Sequence, residues 1–385
     1  MSPSINKTKS NSRVLKLQIL KMLSSNTLRC LLCALLLCLL SVIVFTITTK
    51  NFSNNCIIHS LPNTNTLQFT EYKDDENDEM EKEMLRVASR ANQNSSSTNS
   101  KKLAFMFLTT STLPFAPLWE SFFNNAPKTH FTIYVHVDPS HPTMFKWKPP
   151  YSSVFHDRLI FSKHTARHSP ALAAAARRLL ASALVDDRDN YMFILLSGSC
   201  IPLHSFHFTY HALANSNKSF IEIAPQGLAS FYRWSTHRPH VMLPEVRYED
   251  FRAGSQFWSL TRKHAMLVVA DTKIWSKFKL PCLHLLMCFP EENYFPTLMN
   301  MLDREGCVHA TLTHVDWTRS MDGHPRVYEK NEVGPQLIWA LRKDRPKYGD
   351  QDDGTRRDPF LFARKFSPDA LQTLMAIADR VIFKD

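Results

Sequence analysis

Apolar residues recur along this chain in short unbroken runs separated by amphipathic stretches. Residues 103–108 (LAFMFL), 131–137 (FTIYVHV) and 191–196 (YMFILL) are too short for buried helices and rich in aromatic and branched side chains. Such runs predict strands buried on both faces. A loop, TTSTLPFAP, follows the first run and leads to a helix near residues 118–124. Asp138 and Pro139 close the second run, and a short strand is expected at residues 158–162. Ser169 and Pro170 then open an alanine-rich helix that reaches about residue 185. The third run enters SGSCIPL, a helix near residues 206–214 and a strand at residues 219–223. The order β-α-β-(β)-α-β-α-β predicts an α/β fold, a mostly parallel sheet covered by helices. Ligands of such sheets bind at the carboxyl ends of the strands. Those ends carry Thr109 and Thr110, His136 to Asp138, and Ser197 to Cys200.

The second half of the chain is organised around residues 251–300. A turn at Ala253, Gly254 and Ser255 precedes a short aromatic strand at residues 256–258, and Thr261 is the expected N-cap of a helix starting Arg262, Lys263, His264. Pro290 opens another helix with Glu291 and Glu292 in its first turn. Two acids there complement the helix dipole. A carboxylate on so rigid an end can also point into a cleft and act as a general base. Farther on, residues 314–316 read as a strand end, 334–342 as a helix, and 359–363 as a strand running into Arg364, Lys365 and Phe366. Ser367 and Pro368 cap a last helix.

The first hundred residues obey other rules. Residues 30–49 (CLLCALLLCLLSVIVFTITT) carry no charge, and as a helix they span ~30 Å, the thickness of a bilayer core. A cleaved signal peptide would have an apolar core of ~7–15 residues and a small-residue cleavage site; this run is longer and ends in Thr-Thr-Lys. The basic flank, Lys7 to Arg29, lies before the run. The expectation is therefore a cytosolic tail (1–29), a transmembrane anchor (30–49) and type II topology. Residues 50–100, with Asn/Ser/Thr runs and an acidic patch from Glu71 to Glu83, read as a flexible stem with at most a short helix near 79–90. Residues 101–385 form the folded domain. Glycosylation sequons stand at Asn51, Asn94 and Asn217.

Charge and composition narrow the function. The net charge of +11 includes seven Lys/Arg in residues 1–50 and an acidic excess in the stem, which leaves about +8 for the folded domain. That suits an anionic ligand such as a nucleotide diphosphate. No basic run with interleaved aromatics is present, so nucleic acid is not expected as a partner. Glycine is scarce, 8 residues in 385 against a usual ~7%, and neither GxGxxG nor a P-loop occurs. Outside the apolar run, Cys56, Cys200, Cys282, Cys288 and Cys307 are an odd set. In an oxidising lumen that leaves at least one thiol without an intrachain partner. Cys282 and Cys288 either pair or pack.

With these pieces in order, the chain resembles the core-2/I-branching β-1,6-N-acetylglucosaminyltransferase family, in particular its plant branch. The resemblance covers about residues 101–383 and rests on LAFMFLTT, FTIYVHVDPS, YMFILLSGSCIPL, FRAGSQFWSLTRKHAMLVVAD, PEENYFPTLM, HVDWTRSMDGHP and FLFARKFSP. It implies a GT-A-like nucleotide-sugar transferase fold, a UDP-sugar donor, a glycan or glycoprotein acceptor, inversion at the anomeric carbon, no divalent metal, and a Golgi address with the catalytic domain lumenal. Two departures stand out. The plant pattern usually reads Asp-Glu-His-Tyr where this chain has Glu291-Glu292-Asn293-Tyr294, and Glu-Ser-Cys or Ser-Asp type sequence is more usual at Gly198-Ser199-Cys200. Asn293 is expected to alter the acceptor side.

Inverting transfer needs a carboxylate to take the proton of the attacking hydroxyl and positive charge to stabilise the departing diphosphate. The resemblance assigns the first role to Glu292 and the second to Lys365, with Arg326 as second cation; Arg319, Arg356, Arg357 and Arg364 are rivals. It places Asp138 against the donor nucleoside and Trp317 against the acceptor sugar. Asp187-Arg188-Asp189 has the spelling of a metal motif but precedes the third strand, at the wrong end of the sheet. Two other readings stay open: a metal-dependent enzyme using Asp187 and Asp189, and a catalytically silent glycan-binding or scaffold member. The donor sugar, N-acetylglucosamine or glucuronic acid, is undecided, and a homo-oligomer is left open.

Overall fold

The three apolar runs lie side by side in the middle of the molecule. Strands β1 (Lys102–Thr109), β2 (Phe131–Val137) and β3 (Asn190–Ser197) are parallel, with β1 between the other two. Strand β4 (Ile201–Pro202) follows, and β5 (Ser219–Phe220), β6 (Ser259–Thr261) and β7 (Cys307–Val308) extend the sheet in the order β2-β1-β3-β6-β5-β7. A second sheet joins β4, β9 (Phe362–Arg364) and β8 (Thr313–Val315), in that order. The computed structural model describes residues 72–91, 101–142, 148–318, 320, 323–349 and 355–385. The expected tail, transmembrane anchor, first part of the stem, Asn51 and Asn94 lie outside the described residues. Among the described residues no helix is long and apolar enough to cross a membrane.

Successive side chains of a strand point to opposite faces, and both faces here are apolar. Leu103, Phe105 and Phe107 of β1 join one core with Ile133, Val135, Met192 and Ile194, whereas Ala104, Met106, Phe193 and Leu195 join the other. The first face is covered by α2 (Ala116–Phe123), α4 (Phe206–Ala214), α8 (Pro335–Lys343) and α9 (Leu371–Ile377). The second face is covered by α3 (Ala171–Asp186), α6 (Arg262–Ala270) and α7 (Pro290–Leu302). Trp119 sits in an aromatic cluster with Phe105, Phe107, Phe122 and Phe362, and its indole N–H donates to the Cys200 carbonyl at 3.2 Å. Burial of each such ring stabilises by about 1.5–3 kcal/mol. The same contact holds the turn that ends β3.

The expected α/β architecture is present, with some corrections. β6 runs antiparallel to both β3 and β5, so the sheet is mixed. The strand expected at residues 256–258 begins at Ser259, because the Ser255 hydroxyl accepts the Phe257 N–H at 3.1 Å and holds that residue in the turn. Residues 158–162 contribute only a bridge from Leu159 to Val135, and the strand expected to reach residue 223 stops at Phe220.

The stem departs most from expectation. Helix α1 (Tyr72–Ser89) packs on α3 and α6 and belongs to the same compact unit as the sheet, so order starts before Lys101. Glu81, Met84, Leu85 and Ala88 have the i, i+3, i+4, i+7 spacing of one helix face. Met84 and Leu85 pack against the core under the sheet, Ala88 is fully buried, and Glu81 pairs with the buried Arg178 at 2.8 Å. The strongly acidic composition of the segment concealed that face. Cys282 and Cys288 form a disulfide, and Cys200 and Cys307 are buried free thiols.

Candidate active site

The carboxyl ends of β1 and β3 open into a cleft of about 470 Å³ lined by Thr109, Thr110, Ser197, Gly198, Ser199, Gln256, Arg364 and Lys365 among others. Its floor requires glycine, since a Cβ at Gly198 would come within 2.7 Å of the Thr109 hydroxyl. Lys365 lies just past the end of β9 and its carbonyl accepts the Tyr328 N–H at 2.8 Å. Burial, with the charges of Arg364 and Arg167 beside it, pulls the Lys365 ammonium below the usual lysine range. Arg364 stacks its guanidinium over Phe257, 4.5 Å from the ring centre. Burial lowers its own proton affinity, and Cys200 and Glu292 are close enough to act on it. Arg364 and Lys365 thus line one wall of the cleft, and Arg167 lies close enough to act on Lys365.

Glu292 stands at the start of α7, and three features fix it. Its carboxylate accepts from Arg233 at 2.9 Å, on helix α5 (Leu228–Ser235). Arg233 is itself laid over Phe289, 4.6 Å from the ring centre. Pro296, four residues on, has no N–H to give the Glu292 carbonyl; the Gly254 N–H takes it instead, at 2.9 Å. Gly254 is the residue type that approach needs, because a Cβ there would lie 2.0 Å from the Glu222 carbonyl oxygen. Behind the helix, Tyr294 donates to Asp271 at 2.9 Å and receives Arg177 from α3.

Two other acids flank Glu292. Glu291 is buried, and that burial, with the neighbouring Glu292 charge, pushes its carboxyl up to about 8. Glu222 is also raised by burial, offset by a hydrogen bond from the Ser255 backbone and reinforced by Glu292. Asn293 is buried and donates to the Arg252 carbonyl at 3.3 Å. It supports the turn that carries Gly254 from behind.

The remaining expected residues fall as follows. Asp138 is at the end of β2 and buried; burial opposes its charge, but bonds from Ser140 and Thr165, four of them at 2.7–2.9 Å, outweigh that and hold it well below the usual carboxylate range. Its oxygens are thus taken up within its own loops, and Thr165 rather than Asp138 lines the cleft. Arg326 is paired with Asp316 and Glu332, although the next residue, Val327, lines the cleft. Trp317 is 53% exposed, open for stacking. Asn217 is exposed beyond the end of α4. Arg356 pairs with Asp358, and Arg319 lies outside the described residues. Asp187 bonds Lys102 at 2.7 Å, at the amino ends of β1 and β3 and so at the opposite edge of the sheet from the cleft. The fold thus places Arg364 beside Lys365 in the cleft wall and within reach of the Glu292 charge. It leaves Asp138 and Arg326 committed to structural partners.

Sequence reading missed Arg233, Glu222 and the part played by Arg167. A charged residue inside the aromatic helix FYRW, and a proline four residues after the acid, were the available signals.

The profile of the Core-2/I-Branching enzyme family matches residues 103–342. The chain is similar to Glycosyltransferase BC10 of rice, Oryza sativa subsp. japonica, with 27% identity over 302 residues, 69% of this chain and 74% of that one. This chain belongs to the Core-2/I-branching enzyme family, within its plant branch, and is a glycosyltransferase.

Proposed function

We propose that this glycosyltransferase is a Golgi type II membrane enzyme that moves N-acetylglucosamine or glucuronic acid from a UDP-sugar to a glycan acceptor, with inversion and without a divalent metal. The observation that carries the reading is a clamped acid close to a cationic cleft: Glu292 is held by Arg233 and acts on Arg364, which lines the cleft beside Lys365. In this mechanism the Glu292 carboxylate takes the proton from the acceptor hydroxyl as its oxygen bonds the anomeric carbon. The bond from that carbon to the diphosphate breaks on the opposite side, and UDP departs with the electron pair. Lys365, Arg364 and Arg167 offset the charge that develops on the diphosphate, in the role a metal ion fills in other GT-A enzymes. Trp317 offers its ring to the acceptor sugar.

Glu292→Gln keeps the Arg233 contact in shape but removes the base. It is expected to slow transfer by roughly 10²–10⁴-fold while UDP affinity stays within about twofold. Full activity in that variant would sink the assignment. Supplying UDP-N-acetylglucosamine and UDP-glucuronic acid in parallel, and following UDP release, identifies the donor.

A further inference from the structure

Helix α1 touches the loop that shapes the cleft, and it does so through charged groups removed from water. Glu81 bonds Arg178 at 2.8 Å with one oxygen and Lys163 at 2.8 Å with the other. Asp78 pairs with Lys163 as well. The three central side chains are largely covered: Arg178 is 2% exposed, Glu81 17% and Lys163 23%. A pair so placed is held much more firmly than one on the surface, because breaking it strands a buried charge.

Lys163 begins an extended loop. Two residues on, Thr165 gives both its backbone N–H and its hydroxyl to Asp138 at 2.7 Å and lines the cleft. Two further, Arg167 donates to the Gly323 carbonyl at 2.8 Å and bonds His324. Its charge acts on both Lys365 and Glu291. The loop is therefore fixed at one end by α1 and at the other by residues 323–324, with the cleft between.

We infer that α1 is a working part of the donor site: Glu81 holds Lys163, and with it residues 163–167, where Thr165 and Arg167 complete the cleft. Lys163 and Glu81 are positioning residues, and the stem segment next to the membrane side of the chain is coupled to donor binding. This rests on the UDP-sugar reading above.

The test uses the full chain with Lys163→Met, which frees the loop yet leaves Glu81 to neutralise Arg178. Lys163→Arg is the rescue and Lys82→Met, on the exposed face of α1, the control. UDP affinity is measured by calorimetry and amide exchange is followed at residues 163–167. The expected result is a rise of about 3- to 30-fold in UDP Kd and in donor KM, with kcat and acceptor KM little changed. Exchange at 163–167 quickens, Lys163→Arg restores both readouts, and Lys82→Met matches the wild type. Unchanged UDP affinity in Lys163→Met, even with a lowered Tm, would overturn the inference. A wild-type chain that binds no UDP overturns the donor reading instead. Exchange then judges the clasp alone: quickened exchange in Lys163→Met supports it, equal exchange refutes it.

Discussion

Glu291 and Glu292 are consecutive acids with opposite surroundings. Glu292 accepts a hydrogen bond from Arg233 and acts on Arg364. Glu291 turns into the protein, one of its oxygens has no hydrogen-bond partner, and burial raises it to about 8. Between about 4.5 and 8 the folded chain keeps the Glu291 proton and the unfolded chain has lost it. Stability is thus full below that window, falls as pH rises through it and levels off above. Glu291→Gln imitates the protonated form and removes this dependence. From pH 5 to pH 8 the wild type should lose on the order of a few kcal/mol relative to Glu291→Gln in urea unfolding. Parallel pH profiles would show that Glu291 ionises in the fold as it does outside. The positions of Glu292 and Lys365 were legible because each stands at a predictable place, the first turn of a helix or the end of a strand. Asp138 and Arg326 were not: which oxygens and which guanidinium are already taken depends on Thr165, Asp316 and Glu332, brought in from other segments.

Helix α7 shows how an element aims a side chain. Pro290 pre-forms its first turn, and Pro296 frees the carbonyl of Glu292 for Gly254. The helix start is thereby tied to the turn between Glu222 and the aromatic residues 257 and 258. Gly254→Ala forces a methyl group against the Glu222 carbonyl and must shift that turn. A cost of about 1–3 kcal/mol in stability is expected, with a larger loss in transfer than in UDP affinity, because the acid is tied to that turn whereas Lys365 is held past the end of β9 by Tyr328. Equal losses in both would argue that the turn serves folding alone. Helices and long strands were read nearly to the residue, since 3.6-residue and two-residue periods are local properties. The short strand β6 was displaced and β5 was cut short, because one serine hydroxyl or one neighbouring strand decides where a ladder starts and stops.

At the scale of the molecule, the doubly covered sheet was evident in the three apolar runs, and the mixed direction of β6 was not, since strand pairing is a long-range choice. The docked stem was hidden for a different reason. Average composition described an acidic, unfoldable segment, whereas four residues on one face and one buried arginine partner determine its place. A fragment for experiment therefore starts at residue 71, so that it keeps α1. The central claim is that fixed cations, Lys365 foremost, bind the donor diphosphate with no metal. It is tested most directly by calorimetry of UDP with residues 71–385 in EDTA, wild type beside Lys365→Ala. The account predicts micromolar-range binding in EDTA for the wild type and an affinity about 10- to 100-fold lower for Lys365→Ala. Binding that appears only when Mn²⁺ is added, or equal affinity in the two proteins, would contradict it.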